Sequence, residues 1–125
     1  MKSMPTVSVI IPAYNVAPYI GETLDSLLTQ TFTDYEAIVI NDGSTDNTEA
    51  AIAPYHEKFG ARFVYIKQAN GGLTRARNAA LGVARGKYVA LLDGDDVWLP
   101  QYLTALVGML EGDPTLDLVY PNAWF

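Results

Sequence analysis

The chain has 125 residues, half of them apolar, which is enough for one domain with a buried core and too apolar for a disordered segment. A formal charge of -6 and a pI near 4.5, with eight Lys and Arg that form no basic stripe, argue against a nucleic-acid partner. No cysteine and a single histidine exclude a disulfide framework, a thiolate nucleophile and any multi-histidine metal site.

Residues 1–5 carry no secretion-signal pattern and no apolar run approaches a membrane span. The expectation is a cytoplasmic protein, or one held at the cytoplasmic face of a membrane within a longer chain. The first strand is predicted over 7–11, Val7-Ser8-Val9-Ile10-Ile11. Ile20, Leu24, Leu27 and Leu28 then follow the i, i+4, i+7, i+8 rule, with Pro18 near the helix start where its missing N–H costs little.

A second strand covers 36–40, and a second helix opens at the capping-box pair Asp46 and Glu49. That helix carries Ile52, Tyr55 and Phe59 and is expected to kink or shorten at Pro54. His56 stands beside Glu57 and Lys58 on its solvated side. A third strand is predicted over 62–66, a third helix with Leu73, Ala76, Ala80 and Val83 ending near Gly86, and a fourth strand over 87–92. A fourth helix begins at Pro100 and lines up Leu103, Leu106, Val107 and Leu110; 116–120 is a fifth candidate strand.

Strands alternating with helices predict an α/β fold, a mostly parallel sheet with helices on both faces. In such sheets ligands bind beyond the carboxyl ends of the strands. Those ends read Pro12-Ala13-Tyr14-Asn15, Asn41-Asp42-Gly43-Ser44, Gln68-Ala69-Asn70-Gly71-Gly72 and Asp93-Gly94-Asp95-Asp96. Neither G-x-G-x-x-G nor G-x-x-x-x-G-K-[ST] occurs, so both glycine-rich phosphate cradles are missing.

The last of these loops concentrates three carboxylates in four residues. Two carboxylates about 4 Å apart repel by roughly 4 kcal/mol at an effective dielectric near 20, so the cluster calls for a cation, a basic partner or a raised pKa. Mg²⁺ or Mn²⁺, with phosphate oxygens completing the shell, would answer that need; an acidic turn with Asp96 as a helix cap is the plain alternative. Asp42 with Gly43 to Asp46 reads equally as a ligand acceptor or as a tight turn and cap. Arg75 and Asn78 share one helix face and Arg77 points elsewhere, so only some of them can reach a common site. Trp98, between Val97 and Leu99, reads as core.

Taken in order, Val9-Ile10-Ile11-Pro12-Ala13-Tyr14-Asn15, Asn41-Asp42-Gly43-Ser44-Thr45-Asp46, Asn70-Gly71-Gly72 with Ala76-Arg77-Asn78, and Leu91-Leu92-Asp93-Gly94-Asp95-Asp96 closely resemble the signature of glycosyltransferase family 2. The resemblance runs from about Val7 to Trp98. It implies the GT-A fold with the first four strands in spatial order 3-2-1-4, and an inverting, metal-dependent transfer of a sugar from a nucleotide diphosphate, UDP first among them, to an unidentified acceptor. Pro12, Tyr14, Asn15 and Asp42 would surround the base, Asn70 and Arg77 would complete the nucleotide-sugar site, Asp93 would face the ribose, and Asp95 with Asp93 would hold Mg²⁺ or Mn²⁺ in a D-x-D motif.

In that family the general base and acceptor site lie downstream, whereas this chain stops at Phe125. The expectation is one domain over 1–125 forming the donor-binding half of a truncated transferase, inactive alone. Asp113 and Asp117 have no motif around them that would make either a base. A sheet cut near 116–120 would also leave an unpaired edge through which chains self-associate. A nucleotidyltransferase is the first rival reading, although Pro12-Ala13-Tyr14-Asn15 lacks its glycine-rich basic loop; a non-catalytic nucleotide-binding module is the second.

Overall fold

The computed structural model describes residues 4–113; the fifth candidate strand at 116–120, Asp117 and the end of the chain lie outside them. Four parallel strands, β1 (Val7–Ala13), β2 (Tyr35–Asp42), β3 (Phe63–Gln68) and β4 (Tyr88–Leu91), form one sheet in the order β3-β2-β1-β4. Helices α1 (Ile20–Leu28), α2 (Thr48–Phe59), α3 (Leu73–Leu81) and α4 (Tyr102–Gly112) alternate with them. The strand order is the one that the resemblance implies.

The near-continuous apolar runs of β1 and β2 follow from burial on both faces. Val9 and Ile11 of β1, with Ala37 and Val39 of β2, face a core closed by Ile20, Leu24 and Leu27 of α1, Ile52 of α2 and Leu103 and Val107 of α4. Ile10, Ile38 and Ile40 point the other way, onto Ala76 and Ala80 of α3. Trp98 joins the first core and stacks on Tyr102 with ring centroids 4.4 Å apart, the packing role expected of it. The amide of buried Gln30 ties the segment around it to α1, donating to the Leu99 carbonyl at 2.7 Å and accepting from the Leu103 N–H at 3.0 Å. Among the described residues no helix is long and apolar enough to cross a membrane.

Several expected boundaries move. α2 continues past Pro54 rather than shortening there, because that residue lies on the exposed side, opposite Ile52, Tyr55 and Phe59, where the Ala50 carbonyl that loses its partner can meet water. The expected capping box does not form: Asn47 is the N-cap residue, Asp46 accepts the Thr48 N–H at 2.9 Å, and Glu49 turns to Lys67 at 3.1 Å. α3 stops at Leu81, short of Gly86, and α4 starts at Tyr102, after Pro100. β3 starts one residue late because Arg62 closes a one-turn 3-10 helix, Gly60–Arg62. His56 is exposed yet sets its ring edge on Phe63 and Tyr65, with centroids 4.7 and 5.2 Å apart.

At the amino end of the sheet a buried polar network holds β4 in place. Glu36 is 2% exposed; it accepts the Ser8 hydroxyl at 2.6 Å, the Arg85 N–H at 2.8 Å and the Arg85 guanidinium at 3.2 Å. Ser8 Oγ in turn accepts the Gly86 N–H at 2.8 Å. Gly86 is close enough to β1 that a Cβ there would meet the Ser8 nitrogen at 2.5 Å. Replacing Glu36 by Ala would strand these donors, with water reaching only the half-exposed Arg85 head. Glu36→Ala is therefore expected to lower the unfolding free energy by about 2 kcal/mol, read from urea denaturation; a loss below about 0.5 kcal/mol, the size of an ordinary surface change, would show that the network carries no stability.

Candidate functional site

In the parallel register Ala13 stands beside Asn41 and Asp42 beside Gln68, so the loops that follow β1, β2 and β3 emerge together. β4 runs beside β1 as far as Ile10 and Leu91, and its exit loop returns to the same end through the Gly94 N–H, which donates to the Pro12 carbonyl at 3.1 Å. A Cβ on Gly94 would lie 2.9 Å from that carbonyl oxygen, so this close approach requires glycine.

The β1 and β2 loops are laced by side chains from both, Asn15 first among them. Asn15 adopts φ 50°, a left-handed conformation that asparagine tolerates better than most residues. Its Oδ1 accepts the Thr45 N–H at 2.8 Å and the Asp46 N–H at 3.3 Å, while its own N–H donates to Ser44 Oγ at 3.1 Å. Next to it the Val16 N–H donates to Thr48 Oγ1 at 3.0 Å and the Ala17 N–H to Asp46 Oδ2 at 3.2 Å. The Thr48 hydroxyl bond, with smaller help from the backbone amides, holds the Asp46 carboxyl below its ordinary value.

Asp42, 3% exposed at the end of β2, organises the loop after β3. Its Oδ1 accepts the Gln68 side-chain amide and the Gly71 N–H, each at 3.0 Å; its Oδ2 accepts the Gly72 N–H at 3.0 Å and the Asn70 amide at 3.4 Å. Asn70 Nδ2 also reaches the Asp42 carbonyl at 3.0 Å. Gly43, at φ +71°, lets the loop settle on it, since a Cβ there would meet the Asn70 nitrogen at 2.5 Å. Burial pushes the Asp42 carboxyl up, and the Gln68, Gly71 and Gly72 bonds with the Arg75 charge more than offset it, so that it titrates below the ordinary value.

These contacts frame a cavity of about 300 Å³. Pro12, Ala13 and Tyr14 form one wall and Asp42 the floor of β2; Asn70, Gly72, Leu73 and Ala76 close it from the loop and α3. Of the residues expected in a nucleotide site, Pro12, Tyr14, Asp42 and Asn70 are thus brought together. Asn15, Arg77, Asp93 and Asp95 are not in the lining.

Arg77 and Asp93 meet each other instead, with Nη2 3.7 Å from Oδ1 and both side chains part-exposed. Arg77 Nε is buried without a hydrogen-bond partner among the described residues. Asp95 and Asp96 are exposed. Burial, and then the charges of Asp95 and Asp93, raise the Asp96 carboxyl above its ordinary value. Gln68 is a part of the site with no role of its own legible in the sequence; it was findable as the register neighbour of Asp42, because parallel pairing sets the two side by side. Arg75, a candidate with Arg77 and Asn78, is not in the lining either.

Residues 8–123 match the model of the family described as glycosyl transferase family 2. The uncharacterized glycosyltransferase EpsJ of Bacillus subtilis (strain 168) is 50% identical over 93 residues, 74% of this chain and 27% of its own length. The uncharacterized glycosyltransferase YibD of Escherichia coli (strain K12) is 44% identical over 124 residues, 98% of this chain and 35% of its own. The hyaluronan synthase of Pasteurella multocida is 41% identical over 120 residues, 96% of this chain and 12% of its own. The chain therefore spans about a third or less of the length of these curated relatives. Among solved structures, S. aureus TarS 1-349 in complex with UDP-GlcNAc is similar with a TM-score of 0.79 and 34% identity, over 86% of this chain and 31% of that one. The mannosyltransferase PcManGT from Pyrobaculum calidifontis, in complex with GDP-Man and Mn²⁺, is similar with a TM-score of 0.81 and 32% identity, over 92% of this chain and 34% of that one. With the strand order above, these likenesses give the GT-A fold.

A pH dependence follows from the lowered carboxyls. The folded-state pKa of Asp42 lies below the ordinary 3.8, so its contribution to stability is complete above about pH 4 and is lost as the pH falls through the folded value. Asp46 acts in the same direction. Urea titrations between pH 5 and pH 2 are expected to show stability falling on acidification, with a shallower fall in Asp42→Asn; an unchanged slope in that variant would mean that Asp42 gains nothing from its donors.

Proposed function

The chain belongs to glycosyltransferase family 2, and from that premise we propose that it forms the nucleotide-sugar-binding half of an inverting, metal-dependent glycosyltransferase. The observation that carries the reading is the bond from the Gly94 N–H to the Pro12 carbonyl, which sets an acidic loop beside a cavity of about 300 Å³. The cavity suits a nucleobase with part of its ribose: Pro12 and Tyr14 offer apolar and aromatic surface, Asp42 and Asn70 supply polar groups, and Asn15 holds the rim. We assign Asp93 to the ribose and Arg77, which already stands against Asp93, to the nucleotide-sugar side of the same loop.

The donor set fits a hard divalent cation. Asp93 and Asp95 present carboxylate oxygens that water can reach, and Mg²⁺ typically takes one or two protein carboxylates with water and phosphate oxygens, so the pair suffices although no group of three such ligands forms among the described residues. Asp95 with Asp93 would hold Mg²⁺ or Mn²⁺, and the bound ion would supply Lewis-acid stabilisation of the departing diphosphate. Uridine diphosphate is the donor nucleotide proposed, in line with the UDP-GlcNAc complex of TarS. We place the acceptor pocket and the general base in the additional length of the relatives and assign neither to residues of this chain.

The reading extends to self-association. Among the described residues β4 has a strand neighbour on one side only, and on the α3 face Val89 and Leu91 are 44% and 49% exposed because α3 packs on β1 and β2. Apolar surface beside an open strand edge favours association. Light scattering over a concentration series is expected to show mass rising with concentration; a monomer from micromolar to millimolar would remove this part of the proposal.

Titration calorimetry tests the central claim. UDP is expected to bind weakly and only with Mg²⁺ or Mn²⁺ present, because carboxylates alone repel a diphosphate. Asp95→Ala is expected to weaken binding by at least about tenfold, ~1.4 kcal/mol. Metal-independent binding that survives Asp95→Ala would remove the metal assignment, and a preference for NAD would overturn the nucleotide-sugar reading.

A further inference from the structure

Arg75 has no role in the site as described so far. It is exposed on the first turn of α3, and its side chain folds back over the preceding loop: a Cβ on Gly71 would lie 2.3 Å from Arg75 Cδ and 3.0 Å from Nη1. No hydrogen bond or salt bridge engages its guanidinium among the described residues, although its charge is felt by Asp42. Gly72, Leu73 and Ala76, which surround it in sequence, all line the cavity.

Asp42 is the natural partner for this cation and cannot serve as one. A carboxylate has about four lone-pair positions, and Gln68, Asn70, Gly71 and Gly72 already occupy those of Asp42. The nearby carboxylate therefore attracts the guanidinium without accepting from it. Arg75 is not one of the residues that line the cavity, but its five N–H donors have no acceptor among the described residues and lie over Gly71, next to the lining residue Gly72. The rim there has hydrogen bonds to give, which matches a ligand edge that carries carbonyl oxygen. Arg77, two residues on, leaves the helix about 200° away and pairs with Asp93, so the two arginines serve different ends of the site.

We propose that Arg75 is a specificity-determining residue of the nucleotide site, its guanidinium donating to a carbonyl oxygen of the nucleobase and so favouring uracil over adenine. This rests on the nucleotide-binding reading above. A lysine keeps the charge but loses the planar fork, so it replaces arginine only in part.

The test is calorimetry in Mn²⁺ with UDP, uridine and ADP as probes, on the wild type, Arg75→Ala and Arg75→Lys, with circular dichroism to confirm that each variant folds. The wild type is expected to prefer UDP to ADP. Arg75→Ala is expected to lose about tenfold or more for UDP and for uridine alike and to leave ADP unchanged, so that the preference collapses; Arg75→Lys should fall between. An unchanged UDP affinity in Arg75→Ala overturns the proposal. So does an equal loss for UDP and ADP with uridine unaffected, which would put the contact on the diphosphate. A wild type that binds ADP as well as UDP defeats the base preference while leaving nucleotide binding intact, whereas a wild type that binds no nucleotide defeats the underlying reading and the assignment with it.

Discussion

The arrangement of the site depends on the saturation of one buried carboxylate. Asp42 ends β2, and through its two oxygens it holds the last residue of β3, the loop that follows and the two glycine amides that lead into α3. Without such donors a carboxylate at this depth would cost several kcal/mol or take up a proton. With them, burial of the charge becomes the reason that the loop has one conformation. The position of α3, and hence of Leu73 and Ala76 around the cavity, follows from it.

A similar arrangement recurs at the opposite end of the sheet. Glu36 lies on β2, as Asp42 does, and takes backbone and side-chain donors from the connection between α3 and β4. One strand thus anchors both ends of the α3 unit by buried acceptors, one where the loop enters the helix and one after the helix has ended. The helix between them has small residues, Ala76 and Ala80, against Ile10, Ile38 and Ile40, a face that alone would specify its axial position weakly. Directional bonds at each end supply the positional definition that an alanine face lacks.

The acidic loop is held differently. Backbone contacts, the Gly94 N–H to Pro12 and the Thr23 hydroxyl to the Gly94 carbonyl at 3.0 Å, fix its centre, while the carboxylates on either side stay in reach of water. A rigid backbone with exposed charge suits a group meant to meet an ion or a ligand, since side-chain partners of their own would compete with it. Among the described residues Arg77 is the one such partner, and at 3.7 Å with both heads part-exposed it holds Asp93 loosely.

Local pattern alone determined the alternation of strands and helices, the strand ends as the place to look and the core role of Trp98; the family resemblance implied the grouping of Pro12, Tyr14, Asp42 and Asn70. Each of these is written in periodicity, in turn residues or in a motif that spans a few positions, and the family resemblance added the strand order. What side chains do with one another was decided by tertiary structure. Asn15 became a strut between two loops, Glu49 left its capping box for Lys67, Arg77 turned to Asp93, and Gln68, Glu36 and Arg75 acquired parts that no nearby residue announces. Pro54 was tolerated because the fold turned it to water. For Asn15, Glu49, Gln68 and Glu36 the physical reason is the same: a hydrogen-bonding group takes the best partner that register and packing bring within about 3 Å, and residues 26 to 49 positions apart, as Asp42 is from Gln68 and Glu36 from Arg85, become neighbours only once the sheet has formed.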